Sequence, residues 1–239
     1  MSNLAVIFTG GTGTRMNTKS KPKQFLELHG KPILVYTLEE FNNHPEIDGI
    51  ILVILESWIP YCEELVERFH LNKVKAVVAG GKSALESQRN GLKSATDFFD
   101  KKSIVLIHDG VRPLIDKETI SKNIECVKTH GTAITVTPAI ETITVKTESG
   151  KVGQIIERSK VEMARAPQSF WLKDILEAHE RSEAEGLNFI DSASMMQHYG
   201  HALFTVEGLP ENIKITTPND FYTFRALVDA KENSQIFGI

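Results

Sequence analysis

Four cations, Arg15, Lys19, Lys21 and Lys23, fall within nine residues that contain no acid, and just ahead of them Gly10, Gly11 and Gly13 take three of four positions in Thr9-Gly10-Gly11-Thr12-Gly13-Thr14. Without a Cβ, glycine lets backbone N–H groups crowd against a ligand, and consecutive amides of this kind form a concavity for anions. Positive charge gathered beside open donors suits a triphosphate better than an uncharged ligand. The stretch reads as a phosphate cradle, with an ordinary glycine-rich turn bearing solvated lysines as the alternative. Two familiar phosphate loops are excluded. Gly11-Thr12-Gly13 supplies G-x-G, but Met16 stands where a dinucleotide fingerprint needs its third glycine, and no acid closes a second strand about twenty residues on. Nor does G-K-[ST] follow at the spacing of a P-loop.

A carboxylate suited to a divalent cation comes later. Asp109, in His108-Asp109-Gly110-Val111-Arg112-Pro113, follows the apolar run Ser103 to Ile107 and so sits at a strand tip, where open α/β sheets bind ligands. Mg²⁺ is usually held by one or two carboxylates together with substrate phosphates, and an Asp/Arg pair made with Arg112 can serve both metal and phosphate. A capping or turn aspartate is the plain alternative. His108 reads as structural. His198 and His201, with Gly200 between them and no cysteine near, lack the spacing of zinc ligands. The sequence has no G-x-S-x-G nucleophile elbow, so covalent hydrolase chemistry has no support. Arg158, after Glu157, reads by itself as a surface charge. Lys214, among Ile213, Ile215 and Thr216, either faces solvent by alternation or meets a bound anion.

The elements that must position these groups alternate. Leu4 to Phe8 is an apolar strand; Pro32, at the first helical position, opens a helix in which Ile33, Leu34, Leu38 and Phe41 recur at helical spacing. The nearly continuous apolar run Gly49 to Leu55 signals a strand covered on both faces, as in a parallel sheet. A helix from about 59 to 70, a strand over 74–79, a helix from about 84 to 98, the strand ending in Asp109 and a helix from about 117 to 129 continue the pattern. After a strand over 133–137, Pro138 marks a change: 140–146 and 152–156 alternate apolar and polar residues around Glu148-Ser149-Gly150-Lys151, a hairpin that would project as an arm. A helix over 171–185, short strands over 202–206 and 212–216, and a helix over 218–232 close the chain.

The 239 residues, 41% hydrophobic and 24% charged, suffice for one large α/β domain. With a net charge of −4, nothing global draws nucleic acid or acidic lipid, so the early cationic cluster is a local feature. Cys62 and Cys126 fall in amphipathic helices and read as free, packed thiols. No apolar window approaches the roughly 18 residues of a membrane helix, and no signal-type run opens the chain, so the cytoplasm is the expected location.

Five stretches, in order and at compatible spacing, carry a resemblance: Gly10-Gly11-Thr12-Gly13-Thr14-Arg15-Met16, Pro22-Lys23-Gln24-Phe25-Leu26, His108-Asp109-Gly110-Val111-Arg112-Pro113, Ala166-Pro167-Gln168-Ser169-Phe170 and Glu211-Asn212-Ile213-Lys214-Ile215-Thr216. They are similar to motifs of the cytidylyltransferases that make CDP-alditols, the methylerythritol-phosphate enzyme of isoprenoid synthesis and the ribitol-5-phosphate enzyme of teichoic-acid and capsule synthesis. The resemblance spans essentially the whole chain. It implies one Rossmann-like, GT-A-like nucleotidyltransferase domain over residues 1–239, α/β with a mainly parallel central sheet and a β-arm at about 139–158.

Carried onto this sequence, the resemblance implies that Arg15 and Lys23 grip the CTP phosphates within the Gly10, Gly11, Thr12 and Gly13 cradle, and that Asp109 binds the nucleotide's Mg²⁺. Lys214 would stabilise the reacting phosphate. The loop from Gly80 to Ser87 would read cytosine, through Gly81 and Ser87 among others. Arg112 and Asp191 would serve the acceptor, and Thr142 and Arg158 would reach from the arm into a neighbouring subunit to hold the acceptor's phosphate, which implies a homodimer with exchanged arms. Lys82 and Ala84 stand where the family commonly has aspartate and arginine. Ala166 and Ile190 stand where methylerythritol-type enzymes tend to carry threonine, and the wording around Thr9, Asp109 and Thr142 is closer to the ribitol-phosphate branch. The expected reaction is transfer of CMP from CTP to an alditol phosphate, D-ribitol 5-phosphate first and 2-C-methyl-D-erythritol 4-phosphate second, releasing pyrophosphate. The rival readings are a sugar-1-phosphate nucleotidyltransferase using another NTP and a CTP-binding regulatory protein without catalysis.

Overall fold

A strand buried on both faces must be apolar at successive positions, and Leu4-Ala5-Val6-Ile7 meets that condition without exposing any of the four side chains. It forms β1 (Asn3–Phe8) in a computed structural model that describes residues 1–9 and 21–237, with side chains to Asn233. A 3-10 turn at Lys23–Phe25 and a two-stranded ribbon, β2 (Glu27–Leu28) and β3 (Lys31–Pro32), lead into α1 (Ile33–Asn42). Pro32 stands at the N-cap position in extended backbone, so the helix begins one position later than the sequence suggests. Then follow β4 (Gly49–Ile54), α2 (Ile59–Arg68), β5 (Val74–Ala79), α3 (Ala84–Ala95), β6 (Ile104–Asp109), α4 (Lys117–His130) and β7 (Thr132–Pro138). The hairpin is β8 (Ile143–Lys146) and β9 (Val152–Ile156); β10 (Glu162–Trp171), α5 (Leu172–Glu185), α6 (Ser192–His198), β11 (Thr205–Glu207) and α7 (Pro218–Phe237) complete the chain.

The central sheet has the order β11-β7-β10-β6-β1-β4-β5. All its pairings are parallel except those of β10, which runs antiparallel to both neighbours. Strand alternation divides the core. Ala5, Ile7, Ile50 and Leu52 pack with Leu38 of α1, Cys62 of α2 and Ile120 of α4, whereas Leu4, Val6, Ile51 and Val53 pack with Leu92 of α3, Ile175 of α5 and Met195 of α6. At Gly91 in α3 a Cβ would lie 2.6 Å from methyl carbons of both Val53 and Val6, so only glycine lets this helix sit so close to the sheet. Phe224 and Val228 of α7 pack over Ile33, Val111 and Ile215 at the carboxyl end of the sheet. Cys62 and Cys126 are both free thiols, and among the described residues no helix is long and apolar enough to cross a membrane.

Three differences from the sequence reading concern the site. The strand expected at 212–216 is irregular, held to the rest by Ile215 N donating to Val111 O at 2.9 Å. The second difference is β10, which the sequence hides. Pro167 cannot donate to a ladder, and proline in an interior strand ordinarily argues against one. Here the register jumps between Ala164↔Val136 and Gln168↔Ile134, so residues 165–167 stand opposite Thr135 alone, and the bulge takes Pro167 out of the ladder. Ser169 Oγ, donating to Asn123 Oδ1 at 2.9 Å, pins the strand to α4. Helix α6 was likewise not apparent in the sequence; Asp191 caps it, accepting from Ser194 N at 2.9 Å.

Candidate active site

Asp109 is the last residue of β6, on the edge where the parallel strands end. The chain leaves the strand through Gly110, whose N–H donates to Phe8 O at 2.9 Å. A Cβ there would lie 2.3 Å from the Thr9 side chain and 2.9 Å from that of Leu34, so glycine is required for the close approach. A turn closed by Arg112 N and Asp109 O at 3.1 Å returns the arginine to the carboxylate. Arg112 Nε donates to Asp109 Oδ2 at 2.8 Å, and its Nη1 donates to Asn212 O at 2.9 Å. From the far end of the chain, Lys214 Nζ donates to Asp109 Oδ1 at 2.5 Å. Asn212 Nδ2 donates to Ala166 O at 2.7 Å, tying the irregular 212–216 segment to β10. Lys214 thus meets a carboxylate of its own chain, an outcome that alternation alone could not supply.

Asp109 and Arg112 are buried, while Lys214 is 42% exposed at its side chain. Burial by itself would raise the Asp109 carboxyl, but the charges and hydrogen bonds of Lys214 and Arg112 outweigh it and hold the group below the usual carboxylate range. Two cations against one carboxylate leave the cluster with one net positive charge. Beneath it, His108 is buried, donates from Nε2 to Arg112 O at 3.1 Å, and is pushed down to about 4 by burial, so it is neutral and supports the turn, as its sequence position suggests.

One cavity opens on this cluster and a second adjoins the first. One, of about 170 Å³, is lined by Asp109, Arg112, Arg165, Gln168, Asp191 and Lys214, with apolar walls that include Ala166 and Ile190. The other, of about 250 Å³, lies against Thr9, Val53 to Leu55, Gly80 to Ala84 and Ser87. They meet at Ala84. Ser87 braces the loop of the second cavity: its hydroxyl donates to Ser83 O at 2.9 Å and accepts from Gly81 N at 3.0 Å. Ser83 caps α3 by accepting from Glu86 N at 3.1 Å, which directs the helix N-terminus towards the junction of the cavities. Asp191 is fixed by Gln168 Nε2 at 3.0 Å and by Ser194 N, while Gln168 Oε1 accepts from Ala193 N at 2.9 Å.

The structure therefore brings together Asp109, Arg112, Asp191 and Lys214, with Gly81 and Ser87 in the adjoining cavity. Lys23 opens the turn anchored by Phe25, which is buried against Trp58 and Tyr61 at ring separations of 4.7 and 5.0 Å. Gly10, Gly11, Thr12, Gly13 and Arg15 lie outside the described residues. Thr142 and Arg158 are exposed on the arm and do not line either cavity; Arg158 Nη1 donates to Ile140 O at 3.2 Å. Three residues of the site carried no assignment from sequence: Arg165, Gln168 and Asn212. Gln168 and Asn212 lie inside motifs noted above, whereas Arg165 had no signal of its own.

Residues 4–230 match the model of the IspD family, 2-C-methyl-D-erythritol 4-phosphate cytidylyltransferase. A ribitol-5-phosphate cytidylyltransferase of Streptococcus agalactiae is 50% identical over 240 residues, covering 100% of both chains. A 2-C-methyl-D-erythritol 4-phosphate cytidylyltransferase of Clostridium acetobutylicum is 40% identical over 233 residues, 97% of this chain and 99% of that one. Among solved structures, the 4-diphosphocytidyl-2C-methyl-D-erythritol synthase of Anaerococcus prevotii superposes with a TM-score of 0.83 at 28% identity, covering 95% of this chain and 96% of that one. In sequence over nearly its whole length, and in fold, the chain belongs to the IspD family of cytidylyltransferases.

Proposed function

We propose that this chain transfers CMP from CTP to D-ribitol 5-phosphate, giving CDP-ribitol and pyrophosphate. The observation that carries the reading is the Asp109, Arg112 and Lys214 cluster lining a cavity against β10 and Asp191, with a second cavity, against the Gly80 to Ser83 loop, adjoining the first at Ala84. The first suits the acceptor and the second the nucleotide. The preference for ribitol phosphate rests on the relatives at 50% and 48% identity, all ribitol-5-phosphate cytidylyltransferases, and on Ala166 and Ile190, which give the acceptor cavity no hydroxyl at those positions. Methylerythritol phosphate is the second acceptor to consider, because relatives at 37–40% identity carry that activity in their names.

The chemistry asks for cations rather than a base. A phosphate monoester has a second pKa of about 6, so near neutral pH the acceptor is already largely dianionic. The protein must bring two anions together and stabilise charge on the five-coordinate phosphorus and on the departing pyrophosphate. Lys214 is held by Asp109 beside the acceptor cavity, Arg112 supports the same carboxylate, and Arg15 and Lys23 take the triphosphate. Mg²⁺ fits this donor set: each Asp109 oxygen accepts one hydrogen bond from a cation and retains a lone pair, and Asp191 brings a second carboxylate to the cavity. When bound, the ion would neutralise charge between the phosphates.

The whole chain is read as one catalytic unit acting in the cytoplasm, where the nucleotide pool lies. Its arm reaches a second copy, with Thr142 and Arg158 completing the partner's acceptor site. The deciding experiment offers CTP with ribitol 5-phosphate or with methylerythritol phosphate and reads product masses, together with pyrophosphate release across four NTPs. CDP-ribitol as the main product supports the proposal. CDP-methylerythritol instead, or release with another NTP alone, overturns it, and CTP binding without any pyrophosphate would leave only a regulatory role.

A further inference from the structure

Arg165 sits in the β10 bulge, where three residues face Thr135 alone and side chains leave the regular alternation of the strand. It lines the acceptor cavity with Asp109, Arg112, Asp191 and Lys214. The cations in that cavity are not equivalent. Arg112 is engaged by Asp109 and Asn212 O, and Lys214 by Asp109. Arg165 is half-buried, its one hydrogen bond among the described residues runs from Nε to Thr137 Oγ1 at 3.3 Å, and it forms no ion pair with a described carboxylate. Burial and the nearby Arg112 charge both disfavour its protonated form, although arginine stays charged at any ordinary pH. A half-buried guanidinium sharing a cavity with another is an unfavourable arrangement unless an anion arrives. The terminal nitrogens of the fork are the geometry that matches a phosphate bidentately.

We infer that Arg165 is the ligand that this chain itself supplies to the phosphate of the acceptor, with its terminal guanidinium nitrogens on the phosphate oxygens and its Nε on Thr137. This deepens the function proposed above and rests on it for the identity of the acceptor. Arg158 reaches the same phosphate only from a partner subunit, so Arg165 would let a single chain bind the acceptor before the arms engage. Fixing the phosphate from β10 also sets its direction of approach, because Gln168 and Asn212 brace that strand against Asp191 and the 212–216 segment.

The test uses the full chain and its Arg165→Ala, Arg165→Gln and Arg165→Lys variants. Rates of CDP-alditol formation are measured with ribitol 5-phosphate varied at saturating CTP and the reverse, and inorganic phosphate is titrated into each protein by calorimetry and as an inhibitor against the acceptor. In Arg165→Ala and Arg165→Gln the acceptor KM rises at least about tenfold, the scale of a lost hydrogen bond to a charged group, while the KM for CTP stays within about twofold. Phosphate binding weakens in parallel, and Arg165→Lys recovers part of both. Unchanged acceptor KM and phosphate affinity would overturn the inference. So would a raised KM with unchanged phosphate affinity, which would assign the arginine to the polyol. If Arg165→Ala fails to fold, the longer side chains of the glutamine and lysine variants carry the comparison. A wild-type protein that makes no CDP-ribitol sinks the functional reading alone, because phosphate calorimetry still decides what Arg165 binds.

Discussion

Lys214 Nζ stands 2.5 Å from Asp109 Oδ1, although 105 positions separate the two residues in sequence. The carboxylate holds a lysine on one oxygen and an arginine on the other, so both cations are oriented before any phosphate arrives. Donors fixed in advance stabilise a developing anion without reorganising in the transition state. Lys214→Ala is therefore expected to lower turnover by at least about a hundredfold, and Lys23→Ala, proposed above to take the triphosphate, by a similar factor. Initial-rate pyrophosphate assays check both, and near wild-type turnover in the pair would remove the catalytic assignment.

Removing the carboxylate charge leaves Arg112 buried without its partner. Asp109→Asn should cost about 3–5 kcal/mol of stability, the range for breaking a buried pair from one side, besides abolishing activity. Its folded-state pKa is depressed, so the stabilisation is present above the unfolded value of about 3.9 and is lost as pH falls through the folded value below it. Urea unfolding should show an acid limb below about pH 4 in wild type that is shallower in Asp109→Asn. Identical acid limbs would contradict the pairing.

Two buried histidines set a second, milder window. Burial brings His108 and His179 down to about 4, and for His179 the charges of Arg89 and Lys93 add to it. Between pH 6.5 and about 4 the unfolded chain takes up protons that the folded chain refuses, so stability falls as pH falls, by roughly 3 kcal/mol per histidine across the window. His179 Nε2 has no hydrogen-bond partner among the described residues, so leucine there leaves no group unsatisfied. His179→Leu should gain on wild type at pH 5 relative to pH 7.5 in urea midpoints; a constant difference at both values would refute the titration.

The arm exposes apolar side chains that a lone chain has no reason to show. Val145, Val152 and Ile155 are 46%, 64% and 65% exposed. If the arm docks on a second copy, Val152→Asp with Ile155→Asp should shift sedimentation from dimer to monomer and cut activity. Mixing an Arg158→Ala chain with a Lys23→Ala chain should restore part of the turnover, since one site of each mixed dimer would be intact. No recovery would argue that each chain keeps its own site.

Sequence alone determined the alternation of strands and helices from Leu4 to Thr137, the projecting hairpin, and the placing of Asp109 at a strand tip. These follow from local physics: the period of apolar residues, the glycines and prolines between them, and the tendency of a strand buried on both faces to be apolar throughout. Tertiary structure decided what depends on partners far along the chain. Pro167 hid β10 because a proline removes a ladder donor, and only its neighbours β6 and β7, with a bulge to absorb residues 165–167, make a strand possible there. The same bulge places Arg165 in the lining of the cavity that holds Asp109, Asp191 and Lys214, a position no spacing rule contains. Lys214 could face water or an anion by its neighbours alone; the order of the sheet, which carries Asn212 to Ala166 and Arg112 to Asn212, set it on Asp109 instead. Charge pairing acts over a few ångströms of space, and only the fold converts 105 residues of sequence into that distance.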